Sequence, residues 1–253
     1  MTDLKETLER RIAICARPDT VFRFFTDSSR FARWWGEGSR IDPRQGGEVF
    51  IRYPDGRTAS GEIVEIDPPR RIVFTYQYPG GIPSGGSLVT ITLAADASGT
   101  VLNLTHAFSS DKIRDAHVQG WRYQLALFSK AVAEEGLPKT VERVDAWLAG
   151  WGHPDAGRRR DLLRSCATPD VLFRDAFSAT AGLDDLLANL EAVQHFMPGI
   201  VLTRDGDVGL SHGTAIARWI AKRQTGEALG RGTNVYDLSP DGLFSRVVGF
   251  WER

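Results

Sequence analysis

Cysteine is nearly missing from this chain, with two in 253 residues, Cys15 and Cys166. They lie far apart and form no Cys-x-x-Cys pair, which excludes a disulfide framework and thiolate metal sites and suits free thiols in a reducing compartment. Charge of one sign is missing too. Lys and Arg number 31 against 32 for Asp and Glu, a net charge of −1, so no global field draws the protein to nucleic acid or to an anionic membrane. No apolar run approaches the roughly 18 residues that span a bilayer. The opening MTDLKETLERR has no apolar signal core, and the expectation is a cytoplasmic protein. The five histidines, His106, His117, His153, His195 and His212, show no H-x-x-x-H spacing, so no metal is expected. No Gly-rich phosphate loop follows a parallel strand, and the protein reads as cofactor-free. The one dense basic cluster, Arg158-Arg159-Arg160 with Arg164 a turn later, reads as a solvated helix face, with phosphate contact as the alternative.

What is present is an ordinary mixture, 42% hydrophobic and 25% charged residues. Its length exceeds the usual single domain of about 100–150 residues, which favours two domains. The organising stretch is His117 to Glu135. Its His117, Gly120, Trp121, Gln124, Leu125, Phe128 and Val132 recur at steps of three and four, one face of a helix, while Arg122, Tyr123, Lys130 and Glu134 face water. Gly120 costs about 1 kcal/mol relative to Ala inside a helix, which suggests close approach of a backbone or a ligand, or simply a poor core residue.

Before that helix, Glu6 to Ala16 alternates as a half-buried strand. Pro18 then opens the helical PDTVFRFFTD, and a second short helix, SSRFARWWG, ends at Gly36. From Gly46 the period becomes two. GGEVFIRY, ASGEIVEIDPPRRIVFTYQY, GGSLVTITLAAD and GTVLNLTHAF are separated by turn signals at Pro54-Asp55-Gly56, Asp67-Pro68-Pro69, Gly80-Gly81 and Ser98-Gly99. The order is strand, two short helices, about five strands, long helix. An antiparallel sheet wrapped around the long helix follows.

The segments FTDSSRFARWWG, IDPRQGGEV, GEIVEIDPPRRIVFTY, GTVLNLTH and HVQGWRYQL resemble the SRPBCC (START/Bet v 1-like) proteins, in the bacterial subgroup related to the C-terminal domain of the heat-shock-protein-90 ATPase activator. The resemblance runs over roughly residues 6–137. It implies a helix-grip fold in which the helix roofs a cavity that Trp34, Trp35, Tyr53, Phe74, Tyr76, His106, Trp121 and Leu125 would line or gate. The same aromatic set also reads as core. His106 and His117 have no Ser, Cys or Asp arranged beside them for nucleophilic catalysis and read as hydrogen-bonded structural residues.

Gly136-Leu137-Pro138 should end the long helix, because Pro lacks the amide to continue it. The expected domains are therefore 1–137 and 138–253. The second opens with helices at TVERVDAWLAGWG and DAGRRRDLLRSCATPD, a strand at VLFRDAFSA and a helix at GLDDLLANLEAVQHF. Four strand-like runs follow: IVLTRDGDVGL, HGTAIARWIAKRQ, EALGRGTNVYDL and LFSRVVGFWER. Helices first and strands after give an α+β fold with a bent antiparallel sheet.

RDAFSATAGLDDLLANL, HFMPG, HGTAIARW and GTNVYDLSPDGLFSRVVGFW resemble the SnoaL-like proteins of the nuclear transport factor 2-like superfamily, which includes ketosteroid isomerases. That resemblance implies a cone with a pocket at its open end and a homodimer through the outer sheet face. Asp175, in a phenylalanine-rich setting with Phe173 and Phe177, is the candidate catalytic base, with His195, Tyr236 and Asn234 as polar partners and Trp219 as a further lining residue. The alternative is that Asp175 caps or salt-bridges a turn, with Arg174 beside it. The leading functional reading is a binder of small hydrophobic molecules in two apolar pockets. Its rivals are an isomerase, cyclase or hydratase acting on a polyketide- or steroid-like carbonyl compound, and a structural or co-chaperone-like partner-binding protein.

Overall fold

A computed structural model describes residues 4–79 and 86–252. It divides into two compact units, Met1–Val132 and Ala133–Arg253. In the first, β1 (Glu6–Ile14) precedes α1 (Pro18–Phe22), a 3-10 turn and α2 (Ser28–Trp35). Asp27 caps α2 by accepting the Arg30 backbone N–H. Then come β2 (Arg40–Ile41), β3 (Glu48–Arg52), β4 (Thr58–Asp67), β5 (Arg71–Tyr76), β6 (Ser87–Asp96), β7 (Gly99–Phe108) and the long α3 (Asp111–Glu135). The sheet is antiparallel throughout, in the order β1-β7-β6-β5-β4-β3-β2. Among the described residues six strands thus follow the short helices; β2, at two residues, is too short to show an alternation. The turn expected at Gly80-Gly81 lies outside the described residues.

α3 begins at Asp111, a turn and a half before the predicted His117. Its opening DKIRDA is mostly polar and carries no apolar stripe, so periodicity misses it. Farther along, Trp121, Gln124, Leu125, Phe128 and Val132 are buried as the spacing requires. Phe128 is the hub of this core. Its ring stacks on Phe25 at 4.9 Å, meets Trp34 edge-on at 4.9 Å and Phe24 edge-on at 5.8 Å.

In the second unit, α4 (Leu137–Gly152), α5 (Ala156–Cys166) and α6 (Leu183–Phe196) cover a sheet built from β8 (Ala167–Arg174), β9 (Ala179–Ala181), β10 (Ile200–Arg204), β11 (Gly209–Ser211), β12 (Thr214–Arg223), β13 (Ala228–Leu238) and β14 (Phe244–Trp251). Pro138 occupies the first turn of α4. The missing amide that stops one helix is tolerated at the start of the next. The strand order is β10-β12-β13-β14-β8-β9, with β11 also on β12. β14 and β8 pair in parallel, because the chain crosses from the helices into the sheet between them; the rest is antiparallel as expected. The run from Ile200 splits at Asp205-Gly206, and Gly206 has a positive φ of 90°. β8 starts at Ala167, earlier than predicted, and its Pro169 falls where the β14–β8 register shifts, a place that needs no amide. Trp147 centres this core, with Phe173, Tyr236 and Phe244 around it. Among the described residues no helix is long and apolar enough to cross a membrane.

Truncating the Phe128 hub, as Phe128→Ala, should cost the first unit about 3–5 kcal/mol, read as a lowered denaturant midpoint.

Candidate functional site

In the first unit the second half of α3 packs down on the sheet, while its first half stands over a cavity of about 530 Å³. Trp35 from the end of α2, Tyr53, Pro54, Asp55 and Arg57 from the β3–β4 turn, Tyr76 from the end of β5 and Tyr78 just beyond it form the lower wall. His117, Gly120, Trp121 and Gln124 form the roof, with half-exposed Leu127 and exposed Tyr123 beside them. Gly120 meets no backbone. A Cβ built on it has nothing within 4 Å, so the glycine borders open space.

The roof is tied down by a directed chain of hydrogen bonds. Trp121 Nε1–H donates to His106 Nδ1 at 2.8 Å. Nδ1 is therefore the acceptor, and Nε2 carries the proton that it shares with Ser87 Oγ at 2.7 Å. Ser87 in turn donates to the Tyr76 carbonyl at 2.8 Å. Both ring nitrogens are used by a neutral imidazole, and burial, followed by the charge of His117, pushes the His106 pKa down to about 2. His117 donates its Nδ1–H to the Ile113 carbonyl at 2.8 Å, which leaves Nε2 as its other polar atom.

Three tyrosines meet on the lower wall. The Tyr53 and Tyr76 hydroxyls share a short hydrogen bond, and Tyr76 donates to Tyr78 at 3.0 Å. Three hydroxyl protons serve two bonds, so one proton remains for an outside acceptor. Burial pushes the Tyr53 and Tyr76 pKa values up, keeping both protonated. Trp35 adds an indole N–H that is buried without a partner. At the mouth, Arg57 bonds Asp55 at 2.8 Å and lies 5.5 Å over the Tyr53 ring, so the entrance carries no net charge.

Of the eight residues expected on this cavity, Trp35, Tyr53, Tyr76 and Trp121 line it. Trp34, Phe74, His106 and Leu125 do not; they are buried in the core behind it. Phe74 shares a sheet face with Tyr76, but two residues, about 7 Å of strand, take it away from the mouth. Tyr78, Pro54, Asp55, Arg57 and Leu127 were not anticipated. Tyr78 was legible, since Tyr-x-Tyr at 76 and 78 puts both rings on one side.

The second unit holds a smaller cavity, about 110 Å³. Asp175, Phe173, Phe177, Trp219 and Asn234 line it as expected, joined by Trp151, Ser178, Val193, Met197, Ile200, Leu202, Gly249 and Trp251. Asp175 Oδ1 accepts the backbone N–H groups of Phe177 and Ser178, at 2.8 and 2.7 Å, and Oδ2 accepts Trp251 Nε1–H at 3.2 Å. Trp219 Nε1–H donates to Asn234 Oδ1 at 2.9 Å, and Asn234 donates to the Tyr236 hydroxyl at 3.1 Å. Tyr236 thus sits behind Asn234, fully buried and off the cavity wall. His195 is exposed on the last turn of α6, against Phe196, and is not part of the site. The volume lies below the roughly 300–1,000 Å³ of drug-sized pockets and near the about 150 Å³ that admits benzene, too small for a four-ring skeleton.

Residues 15–133 match the family model described as Activator of Hsp90 ATPase homolog 1-like protein. The first unit is an AHSA1-like domain. No curated protein matches the chain. Among solved structures, CalU16 from Micromonospora echinospora is 30% identical, covering 51% of this chain and 76% of that one, with a TM-score of 0.41. Protein CV1439 from Chromobacterium violaceum is 25% identical, covering 50% of this chain and 96% of that one, at 0.42. A SnoaL-like family protein from Agrobacterium tumefaciens C58 is 23% identical, covering 46% of this chain and 100% of that one, at 0.44.

The AHSA1-like domain should be acid-sensitive through His106. Its folded pKa lies below the unfolded value of about 6.5, so its contribution is complete above pH 6.5 and lost as pH falls, because the unfolded state takes up the proton. Relative to His106→Gln, the wild-type protein should lose about 2 kcal/mol between pH 7 and 5, while ring nitrogen shifts in NMR still show a neutral His106 at pH 5.

Proposed function

We propose that the protein binds small, neutral, hydrophobic molecules, with the AHSA1-like cavity as the principal site. The carrying observation is an aromatic cavity of about 530 Å³ that falls within the usual size of ligand pockets. Its Asp55 and Arg57 cancel, and it offers one uncommitted tyrosine proton. Apolar walls supply the affinity and the few polar atoms fix orientation. The reading requires no turnover.

The second unit would pair with a second copy through the outer face of its sheet. Ile216 on β12 faces Val235 on β13, which faces Val248 on β14. Exposed Ile216, Phe250 and Leu172 extend this row into an apolar patch of the kind that marks interfaces.

Gly120 provides the test of the cavity. Gly120→Ala should stabilise α3 by about 1 kcal/mol and leave binding of the neutral fluorescent probe N-phenyl-1-naphthylamine intact. Gly120→Phe should fill the mouth and weaken that binding about tenfold or more. A wild-type protein that fails to bind the probe, or a Phe variant that binds it equally, overturns the proposal. For the pairing, Ile216→Asp should convert a dimer to a monomer in size-exclusion chromatography with light scattering; a wild-type monomer sinks the idea.

A further inference from the structure

The smaller cavity sets a carboxylate without a counter-ion among aromatic rings. The three donors to Asp175 are all uncharged, two backbone amides and the Trp251 indole. Among the described residues, no Lys, Arg or His forms an ion pair with it. Arg174 is exposed on the far side of β8, because side chains alternate along a strand and Phe173 is the buried neighbour. A half-buried carboxylate is costly unless a charge compensates it, and neutral donors do so only in part.

The walls favour a positive occupant. Trp219 and Trp251 lie 4.8 Å apart with planes at 83°, Phe177 and Trp251 5.6 Å apart at 77°, and Trp151 and Phe173 5.0 Å apart at 63°. These rings pack edge to face, and all five line the cavity, with Phe177 exposed at its rim. Their faces carry negative potential and attract cations, quaternary ammonium groups in particular. Two glycines on β13 seat these rings: a Cβ on Gly232 would lie 2.3 Å from the Trp219 ring, and one on Gly230 would lie 3.0 Å from the Trp251 ring. Gly249 keeps the cavity floor open, since a Cβ there would come within 3.1 Å of Asn234 Oδ1 and 3.2 Å of the Asp175 Cβ. The volume of about 110 Å³ sets the size at a small alkylated head group.

We infer that this cavity binds a small organic cation of the quaternary or tertiary ammonium class, with the aromatic rings around the ammonium and Asp175 as its counter-ion. The site is separate from the AHSA1-like cavity, whose carboxylate is already neutralised by Arg57.

The test compares choline with its neutral carbon isostere, 3,3-dimethylbutan-1-ol, by isothermal titration calorimetry on the full chain. Choline should bind about tenfold tighter or better. Asp175→Asn keeps a side-chain oxygen for the Phe177 and Ser178 amides but removes the charge. It should erase the preference, bringing choline and the alcohol to equal affinity in the variant. Should that variant fail to fold, the wild-type comparison decides alone, with the Trp251 indole N–H resonance as a second readout. An alcohol that binds as tightly as choline, or choline that produces neither heat nor a resonance shift, overturns the inference.

Discussion

The first unit depends on one line of hydrogen bonds, from the Trp121 indole through His106 and Ser87 to the Tyr76 carbonyl. It joins α3 to three neighbouring strands, β7, β6 and β5. Trp121, His106 and Tyr76 are buried, so their polar atoms depend on these bonds in place of water. The aromatic pile around Phe128 then packs the following turns of the helix against the sheet. Between a fixed roof and a fixed floor, the space over Gly120 has nothing of the protein's own to fill it. The cavity follows from where the helix is anchored.

The two units treat buried polarity in opposite ways. Among the described residues lining the AHSA1-like cavity, the polar groups are hydroxyls, indoles, an imidazole and the Gln124 amide, and Asp55 and Arg57 sit at the mouth as a mutually cancelling pair. In the second unit a single carboxylate stands among rings with no cation beside it. Size separates them as well, roughly 530 against 110 Å³.

Much of this arrangement was legible in the residues. The stripe from Trp121 to Val132 named the buried face of α3, and the turn signals marked most strand ends. Asp175, Phe173, Phe177, Trp219 and Asn234 were all placed on the second cavity. What periodicity could not supply was depth. It reports which side of a strand or helix is apolar, not how far along it the packing ends and open space begins, and so Phe74 and Leu125 looked equivalent to Tyr76 and Trp121. Of the readings open for Gly120, the approach of another backbone falls away: the space beside it is open and belongs to the cavity. His195 looked polar and well placed at a helix end, but its side of α6 faces water. The Gly-x-Gly of β13, at 230 and 232, was the signal passed over. Glycines that close together in a strand mark a surface on which large rings are laid.

The placement of the indoles carries one more consequence. Of seven tryptophans, Trp35 and Trp121 border the first cavity, and Trp151, Trp219 and Trp251 the second. Only Trp34 and Trp147 are confined to the cores. Five of the seven indoles therefore border the two hollows, and the unlabelled chain carries its own optical gauge of whether either is filled.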